Sequence, residues 1–115
     1  MPSIVIRLDP EKLQNPDLDL RYLIPDRLAE LSGGLVSDDG YDYEPQGNAM
    51  QIYLQTQDLA LAVPQVVTFL ETENMLGNCL ARAAEVGTSD KNACDTKEFG
   101  IVYPHAGSGV IRCPT

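Results

Sequence analysis

Apolar residues recur with a period of two in several short segments of the chain. Residues 3–8 are rich in β-branched side chains and end at an Asp-Pro pair, which is typical of a short strand. In residues 49–55, Met50, Ile52 and Leu54 alternate with polar or aromatic neighbours. This alternation predicts a strand with one buried face and one face toward solvent. Residues 35–44 and 80–86 predict two further strands.

Two other segments have apolar residues at helical spacing and predict helices at residues 22–31 and 59–76. Pro25 and Pro64 fall early in these segments, where a proline disturbs a helix least. Glycines follow both segments and predict the helix ends, and Asp58 is placed to cap the second helix. A turn is predicted at residues 45–48.

The predicted order of elements is β-α-β-β-α-β, which is the ferredoxin-like arrangement of the α+β class. It implies a four-stranded antiparallel sheet with both helices on one face. The other face is then open, and the alternation assigns Gln51, Tyr53 and Gln55 to it, with Val5 and Arg7 beside them.

The domain organisation follows from the change in character after Gly87. We predict one α+β domain at residues 1–87 and a C-terminal extension at residues 88–115. The extension is partly irregular, with loosely ordered last residues, and residues 99–103 predict an additional edge strand within it.

The charge balance narrows the classes of partner. The 115 residues contain 17 Asp and Glu against 8 Lys and Arg, for a net charge of -9. Because the basic residues are few and scattered, we expect no binding to nucleic acid or to anionic membranes. An acidic surface attracts a basic protein or a cation, although the same charge also serves solubility alone. With no apolar run of about 20 residues and no secretory signal pattern, we expect a cytoplasmic protein.

Residues able to perform catalysis are scarce. Cys79, Cys94 and Cys113 are odd in number and widely spaced, so neither a disulfide framework nor a zinc site is expected. Nucleophilic catalysis needs a histidine near the nucleophile. His105, the single histidine, falls in the tail, where we expect a solvated residue rather than a dyad with Cys113. No glycine-rich phosphate loop is present. The sequence therefore predicts a protein that is not an enzyme and has no cofactor.

The acidic segment at residues 38–44 combines four carboxylates with two tyrosines. Its glycine, Gly40, comes too early for a calcium loop, so we expect no metal site. Tyr41 and Tyr43 alternate and would share one face of a strand, while Asp42 and Glu44 would share the other. Two interpretations remain: a surface for a protein partner, or a solvated edge whose tyrosines cover the core.

The predicted partner-binding residues come from this segment and from the open sheet face. They are Asp38, Asp39, Tyr41, Asp42, Tyr43, Glu44 and Tyr53.

Two stretches carry a resemblance to known proteins. They are LDLRYLIPDRLAELSGGLVSDDGYDYE at residues 18–44 and NMLGNCLARAA at residues 74–84. Their pattern resembles small acidic bacterial proteins of the immunity type, which accompany secreted toxins. The resemblance implies a protein that neutralises a basic toxin or enzyme by occlusion, and it brings no catalytic residue. The alternative hypothesis is a ferredoxin-like ligand-binding or regulatory module that forms a homodimer through its open sheet face.

Overall fold

Six strands form one antiparallel sheet in the computed structural model, which describes residues 1–45 and 47–114. The strands in chain order are β1 (Ser3–Leu8), β2 (Val36–Tyr43), β3 (Met50–Thr56), β4 (Asn74–Met75), β5 (Asn78–Cys79), β6 (Ala84–Ser89), β7 (Glu98–Tyr103) and β8 (Val110–Arg112). The order across the sheet is β2-β3-β1-β6-β7-β8, and β4 pairs with β5 in a separate hairpin. Gln46, in the predicted turn, and Thr115, at the end of the predicted extension, lie outside the described residues.

Three helices accompany the sheet: α1 (Leu20–Leu31), α2 (Leu59–Thr72) and α3 (Leu80–Ala83). The predicted cap is confirmed, because the Asp58 side chain accepts a hydrogen bond of 3.2 Å from the backbone N–H of Leu61. Short 3₁₀ turns lie at Pro10–Lys12 and Ala93–Asp95. Among the described residues, no helix has the length and apolar character needed to cross a membrane.

The predicted α+β class is confirmed, but the predicted sheet was too small. The strand predicted at residues 99–103 is present as β7, yet it is not the edge of the sheet, because β8 pairs with it. The fourth predicted strand begins at Ala84 because Leu80–Ala83 forms a helical turn. The second helix ends at Thr72 because the β4–β5 hairpin follows, with Leu76 and Gly77 at positive φ.

The larger core lies between the sheet and the two long helices. Alternate residues of the central strand, Ile4, Ile6 and Leu8, are fully buried and pack with residues of both helices. Leu28 from α1 and Val66 from α2 are among those helical residues. Burial of these aliphatic side chains provides the main stabilisation of the fold, at about 25 cal/mol per Å² of apolar surface.

A second, smaller core covers the opposite face of the sheet. Val5, Phe99, Ile101 and Ile111 form this cluster, and Val5 points away from Ile4 and Ile6 because side chains alternate along a strand. The prediction that this face is open is wrong, since Val5 and Gln51 are both 0% exposed.

The sheet curls strongly enough to bring its distant strands together. The side-chain amide of Gln51 in β3 donates a hydrogen bond of 2.8 Å to the backbone carbonyl of Arg112 in β8. Three strands, β1, β6 and β7, lie between β3 and β8 in the order of the sheet. Strands β7 and β8 therefore fold over the face that the alternation of β3 assigned to solvent.

Gly87 of β6 lies at the tightest point of the second core. A Cβ atom at this position would lie 2.8 Å from the Cβ of Phe99, 3.2 Å from Val5 and 3.3 Å from Ile111. Real Cβ atoms do not approach so closely, so the backbone of β6 and the second core require glycine here.

We expect Gly87→Ala to lower the free energy of unfolding by about 1–3 kcal/mol, because the added methyl group overpacks the second core. Gly100→Ala in β7 is the matched control, since nothing lies within 4 Å of its Cβ position. Urea unfolding of both variants checks this expectation. Equal stability of the two variants would show that the second core is loosely packed.

Candidate functional site

The acidic segment forms a β-bulge at the free edge of the sheet. Asp38 lies opposite Leu54, whereas Tyr41 lies opposite Ile52, so β2 contains one residue more than β3 between these pairs. Gly40 adopts a φ of 95°, and its N–H donates a hydrogen bond of 2.9 Å to the Asp38 carboxylate. We call Asp38, Asp39 and Gly40 the acidic bulge; all three are exposed.

The bulge interrupts the alternation of side chains on which the face assignment depended. Beyond it, Tyr41 and Tyr43 do share a face, as predicted, with ring centroids 5.7 Å apart in an edge-to-face arrangement. Asp39 lines a cavity of about 320 Å³ together with Asp42 and Tyr53. Asp39 and Asp42 therefore border one cavity, although Gly40 and Tyr41 separate them along the strand.

Arg21 of α1 contacts three tyrosines, namely Tyr41 and Tyr43 of β2 and Tyr22 of α1. The Arg21 guanidinium carbon lies 4.6 Å from the ring centroid of Tyr22 and 4.9 Å from that of Tyr41, within the range of cation–π attraction. Its Nη1 atom donates a hydrogen bond of 2.9 Å to the Tyr43 hydroxyl. We call Arg21, Tyr22, Tyr41 and Tyr43 the tyrosine–arginine patch.

The tyrosine–arginine patch has exposed residues and one residue that packs against the core. Tyr22 is 46% exposed and Tyr41 39% exposed, while Tyr43 is half-buried and packs against the larger core. The adjacent guanidinium of Arg21 lowers the pKa of Tyr22. Among the described residues, Arg21 forms no ion pair with a carboxylate.

The other side of the acidic segment is occupied by an internal ion pair. Arg7 Nε donates to Glu44 Oε2 at 2.6 Å and Arg7 Nη2 donates to Glu44 Oε1 at 2.9 Å, which is the bidentate geometry that arginine and carboxylates favour. Arg7 Nη1 also donates to Glu85 at 3.0 Å, and Gln51 donates to Glu44 at 2.8 Å. We call Arg7, Glu44, Gln51 and Glu85 the Arg7 clamp.

The clamp changes the ionisation of Glu44. The hydrogen bonds from Arg7 lower the pKa of this carboxyl, with a smaller contribution in the same direction from Gln51. Glu44 is therefore held as a carboxylate by internal partners.

Tyr53 is integrated into the second core. Its hydroxyl donates a hydrogen bond of 2.9 Å to Gln51 Oε1, and its ring stacks on Phe99 at a centroid distance of 6.0 Å. Burial raises the pKa of Tyr53. The expectation that Tyr53 stands on an open face is wrong for the same reason as for Gln51: β7 and β8 cover it.

The predicted partner-binding residues thus divide into two groups. Asp38, Asp39 and Tyr41 are exposed. Asp42 is half-buried, and its carboxylate accepts a hydrogen bond of 2.9 Å from the N–H of Tyr43. The remaining three are half-buried, with polar groups already bonded internally: Tyr43, Glu44 and Tyr53.

Sequence reasoning missed Arg21 and Tyr22. Their signal was present, because they are adjacent residues at the start of the helix that precedes β2. Helical spacing alone did not show that this turn of α1 lies beside Tyr41.

The thiols and carboxylates do not assemble into a metal site. In the part of the chain that the structure describes, no three His, Cys, Asp or Glu side chains are grouped to hold a metal ion. Cys79 and Cys94 are exposed thiols. Cys113 donates a hydrogen bond of 3.0 Å to the carbonyl of Thr96, and burial raises the pKa of its thiol.

Comparison with known proteins identifies no family for this chain. No protein-family model, curated protein or solved structure matches the chain. The resemblance to immunity proteins and the cytoplasmic location stay predictions.

We expect Glu44→Gln to lower the free energy of unfolding at pH 7 by about 1–3 kcal/mol, because it removes the negative charge from a bidentate pair whose side chains are 32% and 19% exposed. The folded-state pKa of Glu44 is depressed. Its contribution is therefore complete above the ordinary glutamate pKa of about 4.3 and is lost as the pH falls through the folded-state value. The difference between wild type and variant should shrink below about pH 4.

Chemical unfolding between pH 3 and pH 7 measures this difference. Glu98→Gln is the control, because its ion pair with Arg112 joins side chains that are 52% and 79% exposed. Such pairs contribute about 0–1 kcal/mol. A Glu44 variant that behaves like the Glu98 variant at every pH would contradict the clamp.

Proposed function

We propose that the protein is a non-enzymatic binding module that captures a basic protein partner at the free edge of its sheet. The observation that carries this proposal is the juxtaposition of the exposed Tyr22 and Tyr41 rings with the exposed Asp38 and Asp39 carboxylates. Tyrosine and arginine are the residue types enriched where interfaces gain most of their affinity.

The aromatic part of this surface is already ordered before a partner binds. Edge-to-face contact between Tyr22 and Tyr41, at 5.9 Å between centroids, and the stacked Arg21 hold the rings in place. A surface that is ordered in advance loses less conformational entropy on association. Tyr22 and Tyr41 would therefore act as rigid contacts for shallow pockets of the partner.

The carboxylates would contribute to the rate and specificity of association. Asp38 is the last paired residue before the bulge and Asp39 lies outside the pairing. Both are exposed, so their charge acts at long range. Together with the net charge of -9 they favour a partner with a basic surface. Glu44 and Tyr53 are left out of this proposed surface because their polar groups have internal partners.

An immunity-type inhibitor of a basic toxin or enzyme in the same cytoplasm is the biological setting that we propose. In that setting the acidic bulge would imitate the charge of the target's substrate, and the tyrosines would occlude its site. We also propose that β1, α1, β2, β3, α2 and β6 form a ferredoxin-like core, which the strand order β2-β3-β1-β6 supports. Strands β7 and β8 are then an addition to that core.

We expect the triple variant Asp38→Asn, Asp39→Asn and Asp42→Asn to capture less of the basic partner from an extract of the native cell at low salt. Amides keep an acceptor oxygen for the backbone hydrogen bonds at Gly40 and Tyr43, so the fold is retained while three charges are lost. Quantitative mass spectrometry of the captured proteins, at about 50 mM and 500 mM salt, measures the effect.

The matched control removes three charges elsewhere: Glu71→Gln, Asp90→Asn and Asp95→Asn, all of which are exposed. It should capture as much partner as wild type. If both triple variants lose capture equally, net charge alone is responsible and the proposed surface is wrong. A stable homodimer in sedimentation, without any captured protein, would favour the alternative regulatory module instead.

A further inference from the structure

A second cavity lies beside the tyrosine–arginine patch, at the start of α1, and has the composition of a small-molecule site. Its volume is about 460 Å³, within the usual range of roughly 300–1,000 Å³ for ligand pockets. Leu8, Leu13 and Met50 line it and are themselves nearly or fully buried. The cavity therefore opens directly onto the larger core.

The rim of this cavity is also apolar. Leu18, which lines it, is 58% exposed, so a large aliphatic side chain stands in solvent beside a concave apolar surface. Pro10 and Pro16 complete this side of the rim. An apolar body entering the cavity would cover both the rim and the floor and gain burial from each.

The polar groups of the cavity come from the tyrosine–arginine patch. Arg21 and Tyr43 both line it. Arg21 forms no ion pair among the described residues, and its Nε atom is buried without a hydrogen-bond partner. Tyr43 accepts a hydrogen bond from Arg21, and its own O–H has no acceptor among the described residues. Arg21 and Tyr43 thus add a guanidinium and a phenol to the lining of a largely apolar cavity.

A guanidinium suits a carboxylate, and the carboxylate of the neighbouring Asp17 is directed to the backbone rather than to Arg21. Asp17 also lines the cavity, but its carboxylate accepts a hydrogen bond of 2.8 Å from the N–H of Asp19 at the start of α1. In a chain with more than twice as many acidic as basic residues, an arginine without an internal carboxylate is available for one from outside. We infer that this cavity binds a small amphiphile with an apolar chain and a single carboxylate that pairs with Arg21.

The test uses three probes of equal chain length: octanoate, octylamine and octanol. Octanoate should bind saturably, with chemical-shift changes at the methyl groups of Leu13 and Met50 in NMR titrations. Octanol should bind roughly tenfold or more weakly, because it lacks the charged head that strengthens the hydrogen bonds from Arg21. Tighter binding of octylamine would assign the head group to Asp17 and overturn the inference.

Arg21→Gln should weaken octanoate binding roughly tenfold or more, since it removes the charged donor, whereas Arg21→Lys should retain part of the affinity. Arg112→Gln is the matched control, because it removes one arginine charge without changing the cavity lining, and it should bind as wild type does. Equal binding by Arg21→Gln and wild type, or no shift at Leu13 and Met50 with any probe, would also overturn the inference. The outcome is independent of the proposed capture of a protein partner.

Discussion

The bidentate pair between Arg7 and Glu44 is the polar contact that joins the edge of the sheet to its centre. Arg7 lies in the central strand β1, and Glu44 directly follows the edge strand β2. Through Glu85 and Gln51, the same group of side chains reaches β6, β3 and the carbonyl of Arg112 in β8. In a polar cluster that is partly removed from water, mutual hydrogen bonds offset the loss of hydration, as they do here.

This clamp explains why one short segment can have two different sides. The residues after the acidic bulge turn Glu44 inward to Arg7, while Tyr41 and Tyr43 face α1. The internal side holds the edge strand in place, and the external side is left with exposed rings and carboxylates. Rigid aromatic side chains on a fixed edge strand suit a binding surface. The strand itself presents them, so no additional loop has to be ordered.

Much of the fold followed from local patterns in the sequence, and the rest depended on contacts between distant residues. The alternation of Met50, Ile52 and Leu54 predicts β3 because one face of that strand packs on the helices. The same alternation predicts solvent at Gln51, which is fully buried. Its burial results from β8, whose three residues are too short a segment to give a periodic signal.

The candidate site shows the same division. The common face of Tyr41 and Tyr43 follows from strand geometry and was predicted. The roles of Glu44 and Arg21 were not predicted, because each depends on a partner from another element. Glu44 pairs with Arg7 of β1, and Arg21 contacts the tyrosines of β2. A one-residue bulge at Gly40 has no periodic signature either, although a glycine within a strand is a known sign of one.

The curl of the sheet has a consequence for the order in which the protein folds. The contact between Gln51 and Arg112 joins residues 61 positions apart, whereas β2 and β3 meet across a short connection. Because the entropy of loop closure rises with separation along the chain, the local pairings β2–β3, β6–β7 and β7–β8 should form before the contacts that join distant segments. Until β7 and β8 close over Val5, a partly folded chain exposes the apolar residues of the second core, and the speed of that closure sets how long the chain is vulnerable to aggregation.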